Sequence, residues 1–256
     1  MNRRCQVFFV GAGPGDPELL TLKAKRIIEE ADLVLYTGSL VPGEVVAFAR
    51  TGARVVDSSA MTLEETHALI VETVRVGGLV ARVHTGDPSL YGAVQEQMKL
   101  LEREGISCEV IPGVTAAFAA AAAAKVSFTL PERVQTLVIT RLGGRTPVPN
   151  RERLKELARH RASMAVYLSA SRPEELVLEL LEGGYPEDTP VIIAHRVGWP
   201  DQELFPTTLR DAAARVRKEG LSRQAVFLVL PGQGDEGPVA RLYSPGFSHG
   251  YRDSAE

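Results

Sequence analysis

Short apolar runs alternate with amphipathic segments along the first half of the chain, and this alternation restricts the fold more than any other feature. The segments between the runs carry apolar residues at i, i+3, i+4 and i+7, the spacing of a helix buried along one face. Continuous apolar strands separated by such helices indicate a parallel sheet covered by helices on both faces. The sequence therefore predicts an α/β fold, with the buried strands at residues 6–10, 32–36, 54–57, 79–84 and 107–111.

The pattern restarts in the second half and predicts a second α/β domain. Its strand candidates lie at residues 135–141, 163–170, 189–197 and 224–232, with helical patterns between them. We expect an N-terminal domain over residues 1–120, a C-terminal domain over 121–233 and a tail over 234–256. The tail is rich in Gly, Pro, Ser and charged residues, which is typical of a segment that is loosely ordered or rests on a neighbour.

Composition excludes several classes of protein. The 256 residues carry a net charge of −3, which argues against nucleic acid or an anionic membrane as a partner. No stretch approaches the roughly 18 apolar residues that span a bilayer. The two cysteines form no disulfide framework, and the five histidines show no metal-ligand spacing, so we expect a cytoplasmic protein without a metal.

The stretch GAGPGDP at residues 11–17 directly follows the first predicted strand, where a glycine-rich loop often holds a phosphate. Position 16, where a dinucleotide-binding loop has its third glycine, is Asp, and the Lys of a nucleotide P-loop is missing. Pro14 removes a backbone N–H, and Asp16 adds a negative charge where a phosphate would bind. The loop therefore suits a cationic or hydroxyl-bearing ligand better than a phosphate.

Two further loops follow predicted strands. RVHTGDPSLYG at residues 82–92 repeats the Gly-Asp-Pro element, and strands one and four are neighbours in the common orders of such sheets. One Gly-Asp-Pro is explained by a simple turn, but two at adjacent strand ends favour a binding site. In IPGVTAAFAAAAAAK at residues 111–125, Thr115 is placed to cap an alanine-rich helix. That helix start either packs without a ligand or receives a carboxylate.

Four stretches together resemble the tetrapyrrole (precorrin) methylases, which use S-adenosylmethionine. They are VGAGPGDPELLTLKA, RVHTGDPSLYGAVQEQM, IPGVTAAFAAAAA and TRLGGRTPVP, and the resemblance covers about residues 5–231. It implies methyl transfer to a ring carbon of a tetrapyrrole in cobalamin biosynthesis. The second stretch departs from the GGDPFVFG that is typical of sirohaem-pathway members. The resemblance also implies two α/β domains with the active site in the cleft between them, and usually a homodimer.

Other activities remain open at this point. The chain could methylate another tetrapyrrole position, such as one on uroporphyrinogen III or on another precorrin. It could also be a non-catalytic module that binds S-adenosylmethionine. Methylation of ribosomal RNA or of a modified histidine on a protein occurs on the same fold, but an RNA substrate calls for a basic surface that the charge balance does not favour.

The resemblance assigns roles to individual residues. It places Asp16 on the acceptor side of the first loop, and Asp16 or Asp87 is the candidate general base for a ring proton. Three arginines are candidates to bind the acceptor's carboxylates, because guanidinium groups bind carboxylates in pairs of hydrogen bonds: Arg82, Arg141 and Arg145. For Arg82, an ordinary surface ion pair is equally consistent with the sequence. The candidate donor-binding residues are Pro14, Thr85, Gly86, Asp87, Leu90, Tyr91, Thr115, Ala116, Leu168 and Ala225.

Three other features have no assigned role. His84 and the pair His195-Arg196 are equally consistent with packing and with ligand contact. Trp199, in the loop stretch GWPD, is equally consistent with a core residue and with part of a lid.

Overall fold

A computed structural model describes residues 5–144, 146–233, 248 and 250–252 of the protein. The chain divides into two units. The first unit comprises Met1–Ala119 and Arg196–Gln202, and the second comprises Ala120–His195 and Glu203–Glu256. The sequence placed the segment Arg196–Gln202 in the C-terminal domain, whereas in the structure it belongs to the first unit. Most of the predicted tail, 234–256, lies outside the described residues.

The first unit contains a five-stranded parallel sheet in the order β3-β2-β4-β1-β5. All four strand pairs in it are parallel, as the alternating pattern predicts. The strands are β1 Val7–Gly11, β2 Leu33–Tyr36, β3 Arg54–Asp57, β4 Val80–His84 and β5 Cys108–Ile111, and the helices are α1 Leu22–Glu30, α2 Gly43–Val46, α3 Leu63–Arg75, α4 Val94–Arg103 and α5 Ala116–Ala123.

Each face of this sheet has its own apolar core. Alternate residues of a strand point to opposite faces, so Val10 joins a cluster with residues of α1 and α2, whereas Phe9 joins one with residues of α3 and α4. The predicted capping box is present at the start of α3, where Thr62 and Glu65 each accept the other's backbone N–H. The prediction of helices on both faces is confirmed.

The second unit has a mixed five-stranded sheet in the order β6-β7-β10-β8-β9. Strands β6 and β7 run parallel, whereas β10 pairs antiparallel with β7 and β8, and β8 pairs antiparallel with β9. The strands are β6 Leu137–Arg141, β7 Ser163–Tyr167, β8 Pro190–His195, β9 Glu203–Thr208 and β10 Ala225–Val229, and the helices are α6 Leu154–Ala158, α7 Pro173–Glu182 and α8 Leu209–Lys218.

Strand β9 was not predicted from the sequence. It contains Pro206, which cannot donate to a strand ladder and lowers the strand signal. Proline is tolerated there because, among the described residues, β9 is the edge strand and pairs with β8 alone. No helix in the described part of the chain is long and apolar enough to cross a membrane.

Candidate active site

Three loops meet at the carboxyl ends of β4, β1 and β5, the three neighbouring strands on one side of the parallel sheet. They comprise residues 11–17, 85–92 and 112–115. The first two are joined by backbone hydrogen bonds: Gly13 N–H donates to the Gly86 carbonyl at 3.2 Å, and Gly86 N–H donates to the Gly13 carbonyl at 2.8 Å. The prediction that the strands before the two Gly-Asp-Pro loops are neighbours is confirmed.

Glycines in these loops are required by the close approach of their backbones. A Cβ on Gly11 would lie 2.6 Å from the Gly113 Cα and 2.8 Å from the Gly86 carbonyl oxygen. A Cβ on Gly113 would lie 2.2 Å from the same carbonyl oxygen. Real Cβ atoms do not come this close to backbone, so the three loops pack together only because these positions lack side chains. Gly11, the first glycine of GAGPGDP, therefore serves loop packing, in agreement with the absence of a phosphate-binding motif.

Asp87 joins the second loop to the third. Its Oδ2 accepts the Gly113 N–H at 2.9 Å, and its Oδ1 accepts the Ser89 N–H at 2.8 Å and the Ser89 hydroxyl. Partial burial is the largest single effect and raises the pKa of Asp87, but the hydrogen bonds from Ser89 and Gly113 together lower it. The carboxylate is therefore ionised, and its oxygens already accept hydrogen bonds from the two loops. This makes Asp87 a weak general base but a stabilising link between the loops. Its predicted catalytic role stays a prediction.

Asp16, the other candidate base, caps a short 3-10 helix at Pro17–Leu19. Its Oδ1 accepts the Glu18 N–H at 2.8 Å, and the residue is half-buried. This contact fixes the direction of the side chain at the end of the first loop. Its predicted role in proton transfer also stays a prediction.

Two of the predicted donor-binding residues have strained backbone conformations. Tyr91 has φ 57° and Leu168 has φ 52°, in the left-handed region that large side chains rarely adopt. Their side chains nevertheless stay exposed, at 45% and 68%. Strain of this kind concentrates at functional sites, where the surrounding structure holds it in place.

The remaining predicted donor residues fall into two groups. In the first unit, Thr115 occupies the predicted N-cap position of α5, because its carbonyl accepts the N–H groups of Phe118 and Ala119. In the second unit, Leu168 directly follows β7 and Ala225 begins the neighbouring strand β10, and the register between Phe227 and Val166 places them at the same end of the sheet. The other first-unit residues, Pro14, Thr85, Gly86, Leu90 and Ala116, lie in the three loops or at the start of α5. The predicted cleft stays a prediction.

Arg82 does not lie where an acceptor-binding arginine is expected. It is 9% exposed on β4 and donates to the Ser58 hydroxyl at 2.7 Å, to the Gln97 side-chain oxygen at 3.3 Å and to the Leu35 carbonyl at 3.4 Å. Burial lowers its pKa to about 10. A guanidinium that is buried between the sheet and its helices, and that already bonds to protein groups, is poorly placed to bind a large polyanion. The sequence could not show this, because the partners come from β2, from α4 and from the segment after β3, which are distant along the chain.

His84 lies two residues further along the same strand face. Its ring centre is 5.9 Å from that of Phe9, and its Nε2 is buried with no hydrogen-bond partner among the described residues. Burial, followed by the positive charge of Arg82, lowers the pKa of His84 to about 3, so the imidazole is neutral at physiological pH. The structure thus favours packing for His84.

Arg141 supports its own loop instead of extending from it. Its guanidinium donates to the carbonyls of Leu142, Thr146 and Pro147 at 3.0, 3.2 and 3.2 Å, and to the Thr146 hydroxyl at 3.0 Å. With these donors occupied, Arg141 supports the backbone of its own loop, and its predicted contact with the acceptor stays a prediction. Arg145, the second arginine of the stretch, lies outside the described residues.

Ser169 and Arg172, which no sequence pattern pointed to, also bond to the same loop. The Ser169 hydroxyl accepts the Leu142 N–H at 3.0 Å, and Arg172 donates to the Gly143 carbonyl. Both lie more than 25 positions away along the chain, so no local pattern points to them. The segment Arg196–Gln202 was also missed as a unit: it packs on the first loop, with Trp199 against Gly15.

Comparison with known proteins identifies the family. The family described as Tetrapyrrole (Corrin/Porphyrin) Methylases matches residues 6–213, which is most of the chain. The chain belongs to the tetrapyrrole methylase family. Among curated relatives of this methylase, the cobalt-precorrin-4 C(11)-methyltransferase of Methanocaldococcus jannaschii is 45% identical, with 99% of this chain and 98% of the relative covered. The precorrin-4 C(11)-methyltransferase of Pseudomonas aeruginosa is 44% identical, with 96% and 98% covered.

Solved structures agree with this assignment. A cobalt precorrin-4 methyltransferase of cobalamin biosynthesis superposes with a TM-score of 0.85 at 43% identity, covering 87% of this chain and 93% of that one. A uroporphyrin-III C-methyltransferase from Thermus thermophilus, complexed with S-adenosyl homocysteine, has a TM-score of 0.72 at 29% identity, covering 88% and 96%. No group of three or more His, Cys, Asp or Glu side chains that could hold a metal ion occurs in the part of the chain that the structure describes.

Proposed function

We propose that this protein transfers a methyl group from S-adenosylmethionine to carbon 11 of precorrin-4 or cobalt-precorrin-4 in the synthesis of the corrin ring. The observation that carries the proposal is the end-to-end similarity, at 44–45% identity, to two methyltransferases named for this position. The uroporphyrin-III enzyme from Thermus is less similar, at 29% identity. The relatives differ in whether cobalt is already in the acceptor, so the proposal includes both acceptors.

The three loops of the first unit fit a sulfonium donor better than a phosphate-bearing one. Asp87 is held as a carboxylate beside backbone that carries no side chains at Gly86 and Gly113, and Pro14 offers no N–H. When bound, the donor supplies a methyl group that is bonded to a positively charged sulfur. That sulfur is already a good leaving group. Thr85, Gly86, Asp87 and Thr115 would hold and orient it, since alignment of the reacting atoms accounts for much of the barrier reduction in such reactions.

The acceptor carries many carboxylates, and the loop from Leu142 to Pro147 is the candidate to recognise them. Arg141, Ser169 and Arg172 hold the backbone of its described residues Leu142, Gly143, Thr146 and Pro147. We infer that Arg145 of the same stretch binds the acceptor. The sequence resemblance alone assigns this contact to Arg145, and the neighbouring Arg141 is already occupied within the loop.

Location and assembly belong to the same proposal. Cys5 and Cys108 are free thiols, which fits a reducing compartment and hence the cytoplasm. We expect a homodimer, which sedimentation equilibrium of the purified protein would test.

Turnover with defined acceptors tests the proposed function. The purified protein is incubated with S-adenosylmethionine and, separately, with precorrin-4, cobalt-precorrin-4 and uroporphyrinogen III, and the products are followed by mass spectrometry. We expect one added methyl group on a precorrin-4 acceptor and none on uroporphyrinogen III. Methylation of uroporphyrinogen III alone would assign another ring position. Donor binding without turnover of any acceptor would indicate a non-catalytic module.

A further inference from the structure

The segment Arg196–Gln202, which follows β8 in the chain, is a compact turn of the first unit. Trp199 N–H donates to the Arg196 carbonyl at 2.9 Å, and Gln202 N–H donates to the Trp199 carbonyl at 3.0 Å. The Gln202 side-chain oxygen accepts the Gly198 N–H at 2.9 Å. These bonds hold the backbone on both sides of Trp199, so the indole is carried by an internally bonded turn.

Arg196 fixes the face of the indole. Its guanidinium carbon lies 4.2 Å from the centre of the Trp199 ring, a cation–π distance. Its Nε donates to the Asp201 carboxylate at 2.6 Å, so the guanidinium is held from both sides. Arg196 also has φ 48°, a strained conformation that the turn maintains.

The edge of the indole lies directly on the first glycine-rich loop. A Cβ on Gly15 would be 2.6 Å from Trp199 Cδ1, 2.9 Å from its Nε1 and 2.8 Å from the Gly198 carbonyl carbon. A Cβ on Gly198 would be 2.8 Å from the backbone nitrogen of Asp16. A side chain at position 15 would clash with the turn, so this position requires glycine. The same packing restrains Asp16.

The contacts of the turn differ from those that shape the other two loops. Gly198 approaches Pro14, Gly15 and Asp16, so Pro14 is the one candidate donor-binding residue that it contacts, whereas the loops at residues 85–92 and 112–115, which carry most of the others, are joined through Asp87. Loss of the indole should therefore disturb the first loop beyond Gly13 and leave the bond between Asp87 and Gly113 in place.

We propose that Trp199 is a positioning residue for the acceptor: it fixes the part of the first loop that carries Asp16, through Gly15. This inference rests on the proposed methyltransferase function. It predicts that changes at Trp199 impair use of the tetrapyrrole much more than binding of S-adenosylhomocysteine.

The packing itself is tested without activity, because Trp199 is the only tryptophan in the sequence and all indole fluorescence reports on it. Gly15→Ala places a Cβ inside the contact distance of the indole, so we expect a red-shifted emission and stronger quenching by acrylamide. Gly43→Ala is the matched control, since a Cβ on Gly43 meets nothing within 4 Å. Wild-type emission from Gly15→Ala would overturn the inference.

Kinetics then test the positioning role. Trp199→Ala should lower kcat/KM for the tetrapyrrole about 10- to 100-fold, since small misplacements of reacting groups have effects of this size. The dissociation constant for S-adenosylhomocysteine, measured by calorimetry, should change much less, because Pro14 is the one candidate donor-binding residue that the turn contacts. Trp199→Phe should restore most of the loss, because it keeps a ring against Gly15 and beneath Arg196.

The outcomes separate the two proposals. If the wild-type protein methylates no tetrapyrrole, the proposed function fails, and the fluorescence of Gly15→Ala still tests the packing. If the wild type is active and Trp199→Ala has an unchanged kcat/KM, the positioning role is wrong. A parallel loss of donor binding and acceptor use would also contradict it, because that result indicates general damage to the site. Thermal unfolding of each variant identifies one that does not fold, and Trp199→Phe then serves as the test.

Discussion

Replacement of Asp87 by alanine tests how the donor site is built. The change removes the acceptor of the Gly113 N–H and of two donors on Ser89. Water can replace the bonds to Ser89, which is exposed and only two residues away. The bond to Gly113 is the important one, because it is partly buried and joins two loops that are distant in sequence.

The expected loss follows from that one bond. A hydrogen bond to a charged group contributes about 1.5–3 kcal/mol. Since the carboxylate is only partly buried, solvent screening reduces this contribution to roughly 1–2 kcal/mol. If the loops must be joined before the donor binds, the affinity for S-adenosylhomocysteine should fall about 10-fold, because 1.4 kcal/mol corresponds to one factor of ten.

Asp57 provides a matched control within the same sheet. It follows the same design, accepting the Gly38 N–H at 2.9 Å and the Ser59 N–H at 2.8 Å at the end of β3, away from the three loops. Asp57→Ala should lower the melting temperature without weakening donor binding. Calorimetric titration of both variants with S-adenosylhomocysteine is the assay. Equal affinities for the two variants would refute the role assigned to Asp87.

The contribution of Asp87 to the free energy of unfolding should depend on pH in a defined direction. The folded-state pKa of Asp87 is lowered, so its contribution to stability is complete above its ordinary pKa of about 3.9 and is lost as the pH falls through the lowered value. Wild type and Asp87→Ala should therefore differ in stability at neutral pH and converge in acid. Urea unfolding across that range measures the difference, and an unchanged gap in acid would contradict the assignment.

Three further predictions concern other parts of the protein. Leu168→Gly relieves a left-handed backbone that costs roughly 1–2 kcal/mol, and the extra entropy that glycine loses on folding offsets roughly 0.5–1 kcal/mol of this. It should therefore raise stability by less than about 1 kcal/mol while lowering donor affinity, and a less stable variant in thermal unfolding would contradict this. Arg141→Ala should raise KM for the tetrapyrrole and leave the donor dissociation constant unchanged, and an unchanged KM would contradict a role of this loop in binding the acceptor. Burial raises the pKa of both Cys5 and Cys108, so a thiol reagent should react slowly with the folded protein at neutral pH; reaction as fast as in the unfolded chain would refute it.

The fold of the first unit could be predicted from the sequence because its signals are local. Apolar runs mark the parallel strands, and Thr62 with Glu65 marks a helix start. The second unit was harder, since the direction of a strand is not encoded in its own pattern. Strand β9 was missed because Pro206 weakens the strand signal, and only its edge position makes that proline acceptable.

The candidate site could be predicted to the level of its loops but not of its side-chain contacts. The common strand order of such sheets correctly placed the two Gly-Asp-Pro elements at neighbouring strand ends. The sequence could not show that the guanidinium groups of Arg82 and Arg141 bond to protein carbonyls. An arginine suggests anion binding from its residue type alone, whereas its actual partners depend on the tertiary structure. Trp199 and Gly15 are 184 positions apart, and nothing in either local sequence indicates that they touch.

The position of the transferred methyl group tests the central claim most directly. The protein is supplied with S-adenosylmethionine that carries a ¹³C-labelled methyl group, and the product formed from precorrin-4 or cobalt-precorrin-4 is studied by NMR. The account predicts a single labelled methyl group on carbon 11. A labelled methyl group on any other ring carbon, or an unlabelled acceptor recovered from a folded, donor-binding protein, would contradict it.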